Sequence, residues 1–313
     1  MDRVITQSFL QLDHDIMSLA ARAIDQPTLL ADANAMLEAA YSGSCALVAY
    51  YIEETRSLKV ACVGDSRAVL GRKNAEGIWE AILLSHDQTG HNEAEAKRLQ
   101  ADHPDEPDML KNGRLLGLAV TRAFGDARWK WSQKTQEIAQ KRFFGPEPRV
   151  PLISPPYLTA EPVITTTEIF PERGDFLIMA SDGMWDNLSS EQAVKLVGNW
   201  RDTHDLLKEA TPSGKIEIPD RWAPSDLSKT VKPSVDREFT KPKILSEKDM
   251  VNVDDNAATH LARHALGGGD LDLLTGLISS SPPWTRRMRF VSANIDLSLK
   301  HSLKLNFTNT GTI

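Results

Sequence analysis

The N-terminal part of the chain has the spacing of amphipathic helices. Apolar residues recur at intervals of three and four, at Phe9, Leu12, Ile16 and Leu19, which predicts a helix with one buried face. A second helix is predicted around residues 31–40. Beyond it the apolar period becomes two: CALVAYYI at 45–52 and LKVACV at 58–63 flank the polar EETR, and this pattern predicts a β-hairpin.

Strands and helices follow in blocks along the rest of the chain. Short apolar runs predict strands at residues 68–70, 82–84 and 176–180, and the last of these, FLIMA, is apolar throughout. Helices are predicted at 92–100, 189–200 and 256–266, and Ser189 with Gln192 has the spacing of a capping box. Because the blocks do not alternate as βαβ units, we predict an α+β layered fold.

Composition and charge exclude several classes of protein. Hydrophobic residues make up 41% of the 313 residues, which is enough for a sizeable core. The formal net charge is -7 and no long basic run is present, which argues against a nucleic-acid partner. No apolar stretch approaches the ~18 residues of a membrane span. The two cysteines, Cys45 and Cys62, lie in apolar runs and are interpreted as small buried side chains in a reducing compartment.

The segment from Asp202 to Asp254 differs in composition from the rest of the chain. It is rich in Lys, Asp, Pro and Ser and has few aromatic residues. Such a sequence cannot bury enough apolar area to offset its chain entropy. We therefore predict a solvated, mobile insertion here rather than core.

The motif SDGMWDN at 181–187 carries two carboxylates around a bulky aromatic residue. Asp182 closely follows the apolar run at 176–180, and Asp186 follows Trp185. One interpretation is a turn, because Asp bonds its own backbone and Gly accepts a positive φ. The other is a metal ligand, since a carboxylate at a buried strand end is costly unless it is paired or coordinates a cation. The motif alone leaves both open.

Six motifs in a fixed order together resemble those of the metal-dependent serine/threonine protein phosphatases, the PPM or type 2C family. They are GSCALVAYYI, VACVGDSRAVLGR, LLSHDQTG, LGLAVTRAFGDARWKW, FLIMASDGMWDNLS and DNAATHLARHAL. GHNEAEAKRLQADHPDEPDML, RAFGDARWKW and PPYLTAEPVIT further resemble the pyruvate dehydrogenase phosphatases within that family. The resemblance runs from Met1 to about Arg289, and residues 1–289 are predicted to form one phosphatase domain.

The resemblance implies both a fold and a chemistry. The fold is a sandwich of two antiparallel sheets flanked by helices, and the chemistry uses two or three Mg²⁺ or Mn²⁺ ions and a metal-bound water. Asp182 matches a ligand of the central ions, and Asp186 and Asp87 match residues that hold a third, weaker ion. The family usually has Asp-His where this chain has Asp87-Gln88, so the Asp is kept and its neighbour differs. Carboxylates are the ligands that such hard cations prefer.

Five other residues of these motifs are assigned structural roles. Asp65 of GDSR is expected to order a turn rather than bind metal, because Gly-Asp-Ser fits turn chemistry. Arg122 and Asp126 of TRAFGD are expected to form a buried ion pair that aligns sheet and loop. Trp129 and Trp131 are expected to pack against apolar neighbours.

Two features of the family are absent between Met1 and Ile313. The sequence contains no Asp-Gly-His-Gly motif, whose Asp bridges the two catalytic ions in the family and whose His is a proton donor. We therefore assign no catalytic residue. From Phe290 the sequence also departs from the family's Asp-Asp-Ile-Thr strand, and Asp296 is displaced from that register. Residues 290–313 are predicted to be a divergent tail of no recognisable structure, which leaves the fold incomplete at both ends.

Three interpretations of function follow. The first is a serine/threonine phosphatase acting on a phosphoprotein such as the E1 component of pyruvate dehydrogenase, with the mitochondrial matrix as its location and the cytoplasm as the alternative. The second is a catalytically inactive pseudophosphatase that serves as a binding module. The third is a fragment that folds poorly because each sheet lacks a central strand.

Overall fold

The computed structural model describes residues 1–148, 152–210, 250–279, 293–296 and 304–309. In chain order, its helices and strands are α1 (Asp2–Asp25), α2 (Leu30–Tyr41), β1 (Gly43–Ile52), β2 (Ser57–Val63), β3 (Arg67–Lys73), β4 (Trp79–Leu83), α3 (Glu93–Asp102), β5 (Leu110–Lys111), β6 (Arg114–Leu115), β7 (Phe124–Gly125), α4 (Gln133–Phe143), β8 (Val163–Glu168), β9 (Phe176–Ala180), α5 (Asp182–Trp185), α6 (Ser190–Ala210), α7 (Ala257–Ala265), α8 (Leu271–Ser279), β10 (Ala293–Asp296) and β11 (Lys304–Asn309). The mixture of helices with antiparallel sheets confirms the α+β class.

The contacts divide the chain into two compact units, each with one of the two larger sheets. Unit 1 comprises the described residues of Met1–Ser66 and Ser85–Glu168 together with β11. Unit 2 comprises Arg67–Leu84 and the described residues of Ile169–Lys300. The two units therefore interleave along the sequence. One phosphatase domain over residues 1–289 stays a prediction.

Unit 1 is built on the predicted hairpin. β1 and β2 pair antiparallel from Ala46↔Val63 to Ile52↔Ser57, which confirms the turn at the polar EETR. The sheet order is β11-β1-β2-β8, and β7 pairs with the first residues of β1. The predicted N-terminal helices also form, and α1, α2 and α4 share a core whose buried members include Ile24, Leu37 and Phe143.

Unit 2 is built on the fully apolar strand. All residues of β9 are buried, and β9 lies between β10 and β3 in the order β10-β9-β3-β4. A strand that is covered on both faces has no reason to alternate polar and apolar residues. Its core continues into α6 and α7 through residues such as Val194, Val197 and Leu261. The capping box at the start of α6 is confirmed, because the Ser189 and Gln192 side chains each accept the other residue's backbone N–H.

The prediction for the tail is wrong in two segments. β10 pairs with β9 in the register Ala293↔Ala180, and β11 pairs with β1 in the register Ser44↔Asn309. Leu305 and Phe307 alternate with polar residues, which is a strand pattern. The prediction for the tail gave more weight to the departure from the family motifs than to this pattern. A strand edge without a partner leaves a row of backbone donors and acceptors unpaired. β10 pairs with some of these groups on β9, and β11 pairs with some of those on β1.

The predicted insertion begins later than the composition indicated. α6 continues to Ala210, and Asp202 within it accepts hydrogen bonds from Lys73 Nζ and Trp79 Nε1, both at 2.9 Å. At the other end Asp254 is buried. Composition did not indicate either contact: Asp202 bonds to residues that are distant in sequence, and the Asp254 carboxylate pairs with Arg263 of α7. The central part of the insertion, residues 211–249, lies outside the described residues.

Candidate active site

The SDGMWDN motif lies where the apolar strand of unit 2 ends. β9 ends at Ala180, and the short helix α5 begins at Asp182, so the predicted place of Asp182 at a strand end is confirmed. Asp182 is half-buried and Asp186 is exposed. The Asp186 N–H donates to the Asp182 carbonyl oxygen at 2.7 Å, so one helical turn separates the two carboxylates.

Trp185 anchors the turn that carries these two carboxylates. Its indole N–H donates to the carbonyl oxygens of Ala180 at 2.9 Å and of Arg67 at 3.2 Å. The Arg67 guanidinium lies 5.1 Å above the indole ring, which adds a cation–π contact. Two neighbouring strands of the sheet therefore fix the position of the aromatic residue between Asp182 and Asp186.

Unit 1 carries a second pair of carboxylates, Asp65 and Asp87, near the end of β2. Gly64 has a φ of +102°, and a Cβ at this position would collide with the Cys45 side chain, so the turn requires glycine. Asp65 follows in this turn, as predicted, and its carboxylate accepts a weak hydrogen bond from the Cys45 thiol at 3.4 Å. Asp87 lies in the SHDQTG motif and is half-buried.

The Asp65 and Asp87 carboxylates act on the pKa values of the two cysteines of unit 1. Burial raises the pKa of Cys62 to about 12, and the negative charges of Asp87 and Asp65 add to the increase. Burial and the Asp65 charge also raise the pKa of Cys45 well above its usual value. Both thiols are buried and free, which confirms their interpretation as small core side chains without a disulfide.

A network of buried polar side chains supports the Asp87 segment. The Thr121 hydroxyl lies 3.0 Å from the Gln88 carbonyl oxygen and 2.7 Å from Glu95 Oε2. Arg122 donates to Glu95 Oε1 from Nε at 3.0 Å and from Nη2 at 2.7 Å. Burial alone would raise the pKa of Glu95, but hydrogen bonds from Arg122, Arg98 and Thr121 outweigh it and lower the pKa to about 2. Motifs that are far apart in sequence are therefore connected in unit 1.

The predicted ion pair between Arg122 and Asp126 is wrong. Arg122 pairs with Glu95 from α3, and neither carboxylate oxygen of Asp126 has a hydrogen-bond partner among the described residues. Asp126 adopts a left-handed conformation with φ of 51°, and its carboxylate packs against Gly43 at the start of β1. Burial raises the pKa of Asp126 to about 6, against the opposing charge of Lys130.

The chemistry of the carboxylates fits a hard divalent cation. Mg²⁺ and Mn²⁺ take oxygen ligands, and both units present paired Asp side chains that are half-buried or exposed. Within the part of the chain that the structure describes, no group of three or more His, Cys, Asp and Glu side chains could hold a metal. Asp182 and Asp186 lie together in unit 2. Asp87 lies in unit 1, and its approach to Asp182 stays a prediction.

Reasoning from the sequence missed the residues that hold the carboxylates in place. Gln88 was noted only as a departure from the family, and the Glu95–Thr121 contact was not predicted. Gln88, Glu95 and Thr121 are all buried polar residues. A signal was available for Gln88, because a polar residue beside a motif carboxylate is a candidate for holding it.

A sequence model of protein phosphatase 2C matches residues 4–215, which is more than half of the chain. The chain therefore belongs to the protein phosphatase 2C family, and the resemblance inferred from its motifs is confirmed. None of the helices in the described ranges is long and apolar enough to cross a membrane.

Three known proteins illustrate the similarity. A protein phosphatase 2C homolog of Schizosaccharomyces pombe is 44% identical over 291 residues, covering 92% of this chain and 60% of that protein. The mitochondrial pyruvate dehydrogenase (acetyl-transferring) phosphatase 1 of Saccharomyces cerevisiae is 37% identical, covering 92% of this chain and 52% of that protein. The corresponding mitochondrial phosphatase 2 of Homo sapiens is 34% identical, covering 86% and 49%. This chain thus spans between 49% and 60% of the length of these three relatives.

Proposed function

We propose that the chain forms part of a metal-dependent phosphatase that hydrolyses phosphoserine or phosphothreonine in a protein. The observation that carries the proposal is the match to the protein phosphatase 2C family over residues 4–215. The position of Asp182, two residues beyond the last residue of a fully buried strand, supports it, because such a strand holds the carboxylate rigidly.

Asp182, Asp186 and Asp87 are the proposed metal residues. When bound, Mg²⁺ or Mn²⁺ would supply a water of lowered pKa and a positive charge for the phosphoryl oxygens. The chain's own side chains hold the carboxylates for this task. Trp185 fixes the turn between Asp182 and Asp186 through its two hydrogen bonds. This arrangement needs no nucleophilic side chain.

The proposed substrate is the phosphorylated E1 component of pyruvate dehydrogenase, and the proposed location is the mitochondrial matrix. The names of the Saccharomyces cerevisiae and Homo sapiens relatives, which are mitochondrial pyruvate dehydrogenase phosphatases, support both proposals. The E1 component and the matrix themselves come from the resemblance to that subgroup. The alternative that the sequence leaves open is a binding module that recognises the same phosphoprotein without hydrolysing it.

The test measures Mn²⁺-dependent phosphate release from a phosphoserine peptide of the E1 component. Two proteins are compared: the chain itself, and a fusion that carries a family member's Asp-Gly-His-Gly segment before Met1 and its Asp-Asp-Ile-Thr strand in place of residues 290–313. We expect little turnover by the chain and a gain of about three or more orders of magnitude in the fusion, since two-metal activation supplies most of the chemistry.

The gain must depend on the proposed metal residues. We expect Asp182→Asn to abolish it, whereas Asp32→Asn, which changes an exposed carboxylate on α2, leaves it intact. If the fusion hydrolyses no faster than the chain, or if Asp182→Asn is fully active, the phosphatase proposal is refuted. Peptide binding by a fusion that remains inactive would favour the binding module.

A further inference from the structure

Gln88 forms a clamp between two segments of unit 1. Its side-chain Oε1 accepts the Gly64 N–H at 2.6 Å, and its Nε2 donates to the Cys62 carbonyl oxygen at 2.9 Å. Its backbone N–H donates in turn to the Gly64 carbonyl oxygen at 2.9 Å. Gln88 is 1% exposed, so its amide has no access to bulk water to replace these bonds.

The clamp lies one peptide bond from each of two carboxylates. Asp65 follows Gly64, and Asp87 precedes Gln88. The paired bonds between Gly64 and Gln88 close a ring, so neither neighbouring Asp can shift along its segment without breaking a buried hydrogen bond. A side chain acting through such bonds controls where charged ligands lie even though it does not touch the ion.

The backbone around Gln88 is also hydrogen-bonded to residues outside β2. Its carbonyl oxygen accepts the Thr121 N–H at 2.8 Å and the Thr121 hydroxyl at 3.0 Å. Asn92 Nδ2 donates to the Asp87 carbonyl oxygen at 3.1 Å. The segment is thus hydrogen-bonded to β2 on one side and to Thr121 and Asn92 on the other. Because of these bonds, Gln88 holds Asp87 at a fixed position relative to β2.

We propose that Gln88 is a positioning residue, which fixes the Asp87 segment against the end of β2 and so sets how strongly Asp87 contributes to binding a divalent cation. This inference rests on the proposed function, since Asp87 is one of the proposed metal residues. It assigns a role to the residue at which the chain departs from the family's usual Asp-His.

The experiment measures Mn²⁺ affinity directly, by following the electron paramagnetic resonance signal of free Mn²⁺ during a titration of the whole chain. Gln88→Met keeps the length of the side chain and removes both amide bonds. We expect its Mn²⁺ dissociation constant to rise about 10-fold, the lower end of the effect of residues that orient metal ligands. Circular dichroism establishes that the variant is folded under the titration conditions.

Gln136→Met is the matched control. Gln136 is also buried in unit 1, and its Nε2 donates to the carbonyl oxygens of Arg128 at 3.1 Å and Trp131 at 3.0 Å. A purely structural role for Gln88 predicts that both variants lose stability and keep the same Mn²⁺ affinity. Equal Mn²⁺ affinities in the two variants therefore refute the inference.

Two further variants make each outcome decisive. Asp87→Asn separates the inference from the proposed function: unchanged Mn²⁺ binding in this variant refutes the metal site itself, whereas weaker binding in Asp87→Asn with unchanged binding in Gln88→Met refutes only the clamp. If Gln88→Met does not fold, Gln88→Asn decides, because its amide stays neutral but is one methylene too short to bond both Gly64 and Cys62. Its Mn²⁺ affinity must then fall below that of Gln136→Asn.

Discussion

Arg122 and Asp126 lie four residues apart in one motif of unit 1, yet only the Arg122 charge has hydrogen-bond partners among the described residues. The Arg122 guanidinium donates to Glu95 and to the carbonyl oxygen of Glu161, so its charge is compensated on two sides. The Asp126 carboxylate is buried to a similar degree and has no hydrogen-bond partner among the described residues. Lys130, whose charge acts on Asp126, donates instead to both carboxylate oxygens of Asp13.

The contrast explains why two buried carboxylates in the same unit have pKa values on opposite sides of their ordinary values. Burial by itself raises the pKa of both. Hydrogen-bond donors around Glu95 reverse the effect of burial and lower its pKa to about 2. Asp126 has no such donors among the described residues, and burial raises its pKa to about 6. A buried charge therefore stabilises this fold only where the chain supplies donors to it.

The largest expected effect is the loss of the compensated pair. Arg122→Met leaves the Glu95 carboxylate buried with half of its donors removed, which should lower the free energy of unfolding by about 3–5 kcal/mol. Urea denaturation at pH 7 measures this value. The control is Arg98→Met, which also contacts Glu95 but has a side chain that is 23% exposed, and it should cost about 1 kcal/mol or less. Equal losses in the two variants would contradict the comparison.

A smaller effect of defined sign is expected from Glu95 in acid. Its pKa falls from 4.5 to about 2 on folding, so its stabilisation is fully present above pH 4.5 and is lost as the pH falls toward 2. The shift corresponds to about 3 kcal/mol. The difference in unfolding free energy between the chain and its Glu95→Gln variant should therefore shrink over this range. A difference that stays constant from pH 5 to pH 2 would show that Glu95 is not the group that titrates.

The smallest effect has the opposite sign and comes from Asp126. Its pKa rises from 3.8 to about 6 on folding, so the folded state binds the proton more tightly, and stability falls as the pH rises from about 4 to 6. The shift amounts to about 3 kcal/mol at neutral pH. Asp126→Asn removes this penalty, but its buried amide lacks partners and costs about 1 kcal/mol. The net gain at pH 7 should be about 2 kcal/mol.

Thermal unfolding of the Asn variant between pH 4 and pH 7 tests this expectation. The advantage of Asp126→Asn over the unaltered chain should be largest at pH 7 and should vanish near pH 4. A variant that is less stable than the unaltered chain at pH 7 would mean that the carboxylate has a stabilising partner, and the contrast with Arg122 would fail.

Much of the fold could be predicted from local patterns, because those patterns report burial. The β1–β2 hairpin, the buried β9, the helix α6 that Ser189 caps and the place of Asp182 all follow from periodicity and capping residues. The short strands β5, β6 and β7 were not predicted, since elements of two residues have no periodicity. β10 and β11 were missed because the departure from the family motifs was weighted above the local alternation.

The candidate site, too, could be predicted from the sequence only in part. The sequence by itself determined the class of protein, because the order of its motifs carries that information, and it proposed Asp182, Asp186 and Asp87 as metal residues. Only the tertiary structure decided that Arg122 pairs with Glu95 rather than Asp126, and that Gln88 clamps Gly64. The physical reason is that a hydrogen-bond partner is chosen by distance and direction in space, and residues 24 or 27 positions apart become neighbours only after the strands and helices have packed.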